Sequence, residues 1–148
     1  MHNLFFYVSN IKCNLYDYIF EFAINNKLPK GIYLLNQLKT FRQVFKTGQN
    51  NHKTKFMRIS RIMETYPDQK FILLGDDSQE DPNIYSAIVE HFPQNIYAVY
   101  LRHVLKPSHE RVTGTMEKIK ATGVHCCYFT HSAEAVIHSK QIGLIAKN

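Results

Sequence analysis

Apolar positions along this chain switch between two patterns. Short unbroken apolar runs alternate with stretches where apolar residues recur every three or four positions. The first pattern predicts strands buried on both faces, the second helices with one apolar face. Leu4–Val8 is the first predicted strand, ended by Ser9. Asn14 is placed to cap the next helix, which carries Leu15, Tyr18, Ile19, Phe22 and Ala23 on one face and stops near Asn25-Asn26, ahead of Pro29. Gly31 introduces a strand over Ile32–Leu35. From Asn36 to Asn51 the pattern blurs, and Gly48–Asn51 predicts a loop. Lys53–Tyr66 predicts a helix with Phe56, Ile59, Ile62 and Met63 in phase, closed by Pro67.

The second half repeats the alternation more clearly. Strands are predicted over Phe71–Leu74, Ile96–Leu101 and Val124–Phe129, and helices over Ile84–Phe92, Ser108–Lys120 and Ala133–Ile142. Strands alternating with helices predict crossover units: an α/β fold with a mainly parallel sheet and helices on both faces. No repeat or linker interrupts the chain, so residues 1–148 read as one domain.

Composition narrows this picture without changing it. At 45% hydrophobic and 20% charged, the chain is an ordinary globular sequence. No apolar run approaches the roughly 18–20 residues of a membrane span, and the N-terminus lacks the basic start of a signal peptide. Cys13, Cys126 and Cys127 match no zinc spacing and read as reduced thiols of a cytoplasmic protein. The net charge of +6 matters less than its layout. Lys27–Arg61 holds nine Lys/Arg and no acid, whereas Glu64–Asp81 holds six acids and one base, Lys70. A basic segment and an acidic loop together suit an anionic substrate held against a metal, although most such runs are solvated faces.

The acids concentrate in Lys70–Tyr85, KFILLGDDSQEDPNIY. An apolar run ends at Gly75, and Asp76, Asp77, Glu80 and Asp81 crowd the turn before Pro82 opens a helix. In open parallel sheets ligands bind at the carboxyl ends of strands. Carboxylates gathered there repel one another unless a cation lies between them, and Mg²⁺ is the hard cation that suits oxygen ligands. The other reading of the same residues is a solvated acidic turn at a helix start.

Several stretches taken together, FFYVSN, NLYDYIFEF, LPKGIYLL, ILLGDDSQEDPNIY and IYAVYLR, resemble the catalytic domain of the actin-patch-associated phosphatidate phosphatase family, within the haloacid dehalogenase superfamily. The resemblance implies a three-layer, Rossmann-like fold. It also implies Mg²⁺-dependent hydrolysis of a phosphate ester, through attack by an aspartate on phosphorus. Its phosphate-holding Ser or Thr falls on Ser9, with Asn10 beside it. Its charge-offsetting lysine falls on Lys53 or Lys55. Its G-D-x-x-x-x-D metal motif falls on Gly75-Asp76 and Asp81, with Asp77 as an assisting ligand.

The nucleophile motif, D-x-D-x-T on the first strand of the family domain, has no counterpart in these 148 residues. The expectation is a C-terminal portion of the family domain that lacks its first strand and is inactive alone. It would self-associate or pair with a piece carrying that strand. The implied partner is a phosphatidate-like lipid or a phosphorylated small molecule, with peripheral membrane contact and no nucleic acid. A non-catalytic module that holds an anion or lipid headgroup is the alternative.

Other candidates carry less. Arg102, just past a strand end, suits a phosphate or a surface ion pair. His52, His103, His109, His125, His131 and His138 show no ligand spacing, and Cys126-Cys127 lies within a strand as packed thiols. Tyr33, Phe41, Phe45 and Phe56 are not patterned with the basic residues as nucleic-acid stacking requires.

Overall fold

Among the described residues of the computed structural model, every strand pairing is parallel, as the crossover pattern predicts. The structure describes residues 3–36, 50–104 and 109–146. The blurred stretch after Asn36, Gly48-Gln49 of the predicted loop and the predicted helix start at Ser108 lie outside them. Where a single sheet is predicted, the described strands form two, one of two strands and one of three. The chain divides into two compact units, Met1–Arg61 and Ile62–Asn148.

In the first unit, β1 (Phe6–Lys12) pairs with β2 (Ile32–Asn36), with Phe6, Tyr7 and Val8 opposite Ile32, Tyr33 and Leu34. A short 3₁₀ turn (Cys13–Leu15) leads into α1 (Tyr16–Asn25), the crossover between them. Asn14 falls inside that turn, and the residue preceding α1 is Leu15, so the predicted Asn14 cap is not formed. An aromatic cluster joins strands to helix: Tyr7 stacks on Tyr33 at 4.8 Å between ring centroids, and Tyr16 and Phe20 meet Tyr33 edge-on at 5.7 and 6.3 Å. Only glycine fits at Gly31, because a Cβ there would lie 2.5 Å from the Phe5 carbonyl oxygen. That close approach allows the Ile32 amide to donate to the same oxygen at 2.8 Å. Helix α2 (Asn50–Thr65) follows, and the division between the units falls within it.

The second unit is built on β3 (Phe71–Asp76), β4 (Ile96–Arg102) and β5 (His125–Phe129), in that order across the sheet. Helices α3 (Asp81–His91) and α4 (His109–Ala121) make the two crossovers, and α5 (Ser132–Gln141) follows β5. Both crossovers step the same way across the sheet, so right-handed connections bring α3 and α4 to one face. There they touch each other and cover Leu73, Val99 and Leu101 with Ile88, Val89, Val112 and Ile119. Tyr100 points to the other face, where its hydroxyl meets Ser139 Oγ of α5 at 2.8 Å.

Central β4 is buried through residues 98–101, as its unbroken apolar run predicts. β3 departs from prediction: Leu73 is buried, but Ile72 is 38% and Leu74 65% exposed. Its neighbour in the described sheet is β4 alone, and α5 packs on β5 at the far edge. An apolar run thus need not mean a strand covered on both faces.

Candidate functional site at the carboxyl end of β3

Register decides what the acidic turn becomes. Gly75 pairs with Leu101 and Asp76 with Arg102, so the sheet continues to Asp76 and the acids emerge at its carboxyl end. The Asp77 amide extends the ladder one step further, donating to the Arg102 carbonyl at 3.1 Å. α3 then opens with Asp81 and Pro82, whose fixed φ and missing donor suit a first turn. Asp81 is the first residue of α3 rather than its cap: Glu80 occupies the cap position, and its side chain makes no capping hydrogen bond. The Asp81 carboxylate reaches back over the strand instead. A Cβ on Gly75 would lie 2.5 Å from Asp81 Oδ2 and 2.9 Å from the Tyr85 ring and hydroxyl. Glycine is therefore what lets a carboxylate sit against the backbone here.

Tyr85 fixes the floor of this corner by donating its hydroxyl to the Leu74 carbonyl at 2.6 Å. Burial first, then the neighbouring charges of Asp81 and Asp76, pushes its phenol far above the ordinary range, so it stays a neutral donor. Asp76 Oδ1 accepts from the Ser78 amide at 2.8 Å and from the Ser78 hydroxyl, a tight turn that aims its carboxylate.

Asp77 goes elsewhere. It is 1% exposed, and its carboxylate accepts from the Val104 amide at 2.7 Å, His103 Nδ1 at 2.6 Å and the Tyr128 hydroxyl at 2.6 Å. An assisting metal ligand is what the motif resemblance implies; in the structure its lone pairs are taken by protein donors. Among the described residues no group of three or more His, Cys, Asp or Glu side chains is arranged to hold a metal.

The basic-side candidates belong to the first unit. The strand predicted to end at Val8 continues to Lys12, with the register breaking between Val8 and Lys12. Ser9 and Asn10 sit at that irregularity, half-buried. Asn10 Oδ1 is buried and has no hydrogen-bond partner among the described residues. A buried polar atom in that state costs about 1–3 kcal/mol. Lys53 and Lys55 lie in the first turns of α2, Lys53 exposed and Lys55 half-buried.

Sequence reasoning missed Arg58, further along α2. Its guanidinium donates to the Ser9 carbonyl at 3.1 Å and the Leu34 carbonyl at 3.4 Å, bridging the two strands, and burial lowers its pKa. The sequence signal for it is slight: Arg58 lies three residues after Lys55, a spacing that sets both on one side of the helix.

The fold and the acidic corner define a class: a parallel α/β protein whose acidic groups collect at the carboxyl end of a strand. Residues 1–103 match the family described as phosphatidate phosphatase APP1, catalytic domain, and the chain belongs to that family. It is 32% identical over 98 residues to phosphatidate phosphatase APP1 of Saccharomyces cerevisiae, covering 66% of this chain and 16% of that protein. It is 24% identical over 101 residues to the uncharacterized protein C29B5.04c of Schizosaccharomyces pombe, covering 67% of this chain and 16% of that protein. The chain thus matches about a sixth of the length of these curated relatives. No solved structure matches it. Among the described residues, no helix is long and apolar enough to cross a membrane.

Proposed function

We propose that this chain is the metal- and phosphate-holding part of a Mg²⁺-dependent phosphate-ester hydrolase whose substrate class is phosphatidate. The observation that carries the reading is a pair of carboxylates at the carboxyl end of β3: Asp81, set against Gly75 beside the Tyr85 hydroxyl, and Asp76, the next residue along the strand, aimed by the Ser78 amide. The fit to Mg²⁺ is chemical. Both donors are hard oxygens, and Mg²⁺ is commonly held by one or two carboxylates while keeping waters and substrate phosphate as its remaining ligands. When bound, the ion would polarise a phosphoryl oxygen. Asp76 and Asp81 hold it, and Asp77 does not take part directly.

The remaining roles follow from side-chain chemistry. The Ser9 hydroxyl and the Asn10 amide are donors for phosphoryl oxygens; an Asn amide can turn to present its NH₂ in place of its unpartnered oxygen. Lys53 or Lys55 offsets phosphate charge. The sequence contains no D-x-D pair, so this chain by itself binds and does not turn over. The free thiols Cys126 and Cys127 fit a reducing compartment, and the reading places the protein in the cytoplasm.

The test is an assay of the purified chain with a chromogenic phosphomonoester and with phosphatidate, with and without Mg²⁺. The expected result is Mg²⁺-dependent retention on phosphatidate vesicles without phosphate release. Turnover abolished by Asp76→Asn would show that the chain does carry a nucleophile. The missing D-x-D pair also favours a second reading, a non-catalytic anion-binding module. Vesicle binding that salt weakens, but that Mg²⁺ and Asp76→Asn leave unchanged, would select it.

A further inference from the structure

Asp77 is a buried carboxylate that the metal reading leaves unused. Its side chain is 0% exposed, which is costly for a charge unless donors surround it. The donors come from the ends of two other strands. Tyr128 belongs to β5, and His103 and Val104 follow β4. Asp77 Oδ2, His103 Nδ1 and the Tyr128 hydroxyl form a closed triangle with sides of 2.6, 2.6 and 2.7 Å. Because a carboxylate only accepts, Nδ1 of His103 carries the proton. His109, in the first turn of α4, stacks on Tyr128 at 5.4 Å and covers the cluster. Burial, then the hydrogen bond to Asp77, raises the Tyr128 phenol well above its ordinary range.

The consequence reaches the neighbouring residue. The Asp77 backbone is tied to Arg102 and its side chain to Val104, His103 and Tyr128. The segment between Asp76 and Ser78 is therefore held by both its main chain and its side chain. Asp76 takes its aim from the Ser78 amide on that same segment. We infer that Asp77 is the positioning residue of the acidic loop: it ties the ends of β4 and β5 to the loop and so fixes the direction of the Asp76 carboxylate. This rests on the reading of Asp76 and Asp81 as metal ligands.

The test measures Mn²⁺ affinity by electron paramagnetic resonance, and amide hydrogen exchange over residues 78–80, in the full chain. Asp77→Asn keeps the shape but presents an NH₂ to groups that also donate. The expectation is a loss of Mn²⁺ affinity of about 10–100-fold, the usual effect of removing a residue that orients a ligand, with faster exchange over residues 78–80. Tyr128→Phe, which leaves the Val104 amide and His103 on Asp77, moves both readouts the same way by less. Ile119→Val and Ile119→Ala lower the melting temperature from the core of α4 and leave both readouts at wild-type values. Wild-type affinity and exchange in Asp77→Asn and Tyr128→Phe, or equal changes in the Ile119 variants, overturn the inference. If Asp77→Asn does not fold, Tyr128→Phe decides. If the wild-type chain takes up no Mn²⁺, the metal reading fails separately, and exchange alone decides whether Asp77 positions the loop.

Discussion

The two units differ in what they do with apolar sequence. The second buries Ile88, Val89, Val99, Leu101, Val112 and Ile119 to within 1% of full burial. The first buries Ala23 and Ile59 among its described hydrophobic residues, while Tyr18 is 69% and Ile24 60% exposed. The reason is the number of elements available. Three strands with α3 and α4 on one face enclose side chains from several directions. Among the described residues of the first unit, two strands with α1 and the start of α2 enclose few, and α1 carries apolar residues on both flanks of Asp17 and Glu21. Apolar content is similar in kind; burial depends on what packs against it.

The sharpest way to test that contrast is to empty the core. Ile88→Ala removes a side chain that is 0% exposed and should cost about 2–5 kcal/mol. Ile24→Ala, the same change on the exposed face of α1, should stay within about 0.5 kcal/mol. Urea unfolding of both variants checks the difference, and equal losses would mean that α1 is covered in solution.

A second test targets the glycine corner. Gly75→Ala sets a methyl 2.5 Å from Asp81 Oδ2 and should cost about 1–3 kcal/mol as the carboxylate and Tyr85 are displaced. Its effect on Mn²⁺ affinity should exceed that of an equally destabilising core variant. Tyr85→Phe is no more severe: it removes the hydrogen bond to Leu74 and leaves a carbonyl unpaired, which should cost about 1–3 kcal/mol in thermal or urea unfolding.

The smallest effect concerns pH. Burial raises the Cys126 thiol from its ordinary value of 9.0 to about 11. The unfolded thiol ionises first, so this contribution to stability is complete below pH 9 and is lost as pH rises toward about 11. Urea midpoints measured at pH 8 and again at about pH 10.5, between those two values, should fall less for Cys126→Ala than for wild type. The absence of any difference between the two proteins would show that the thiol is solvated.

Much of the second unit was legible in the sequence. The apolar runs of β4 and β5 and the phased residues of α3 and α4 fall close to their predicted bounds, because period and burial agree there. The acids after Gly75 were legible as a turn at a strand end. Their separate fates were not. The motif resemblance ranks Asp76 ahead of Asp77 but keeps both beside a metal; only the strand register sets His103 and Tyr128 around the second. Arg58 was hidden for the same reason: it reaches backbone carbonyls of β1 and β2, which no side-chain motif records.

The sequence by itself determined the alternation of strands and helices, the parallel pairing and the family, because hydrophobic period and local motif are properties of neighbouring residues. The tertiary structure decided which face of each strand is covered, which acid turns inward and which glycine admits a carboxylate. Those outcomes depend on groups brought together from distant parts of the chain, and only the packed register supplies them.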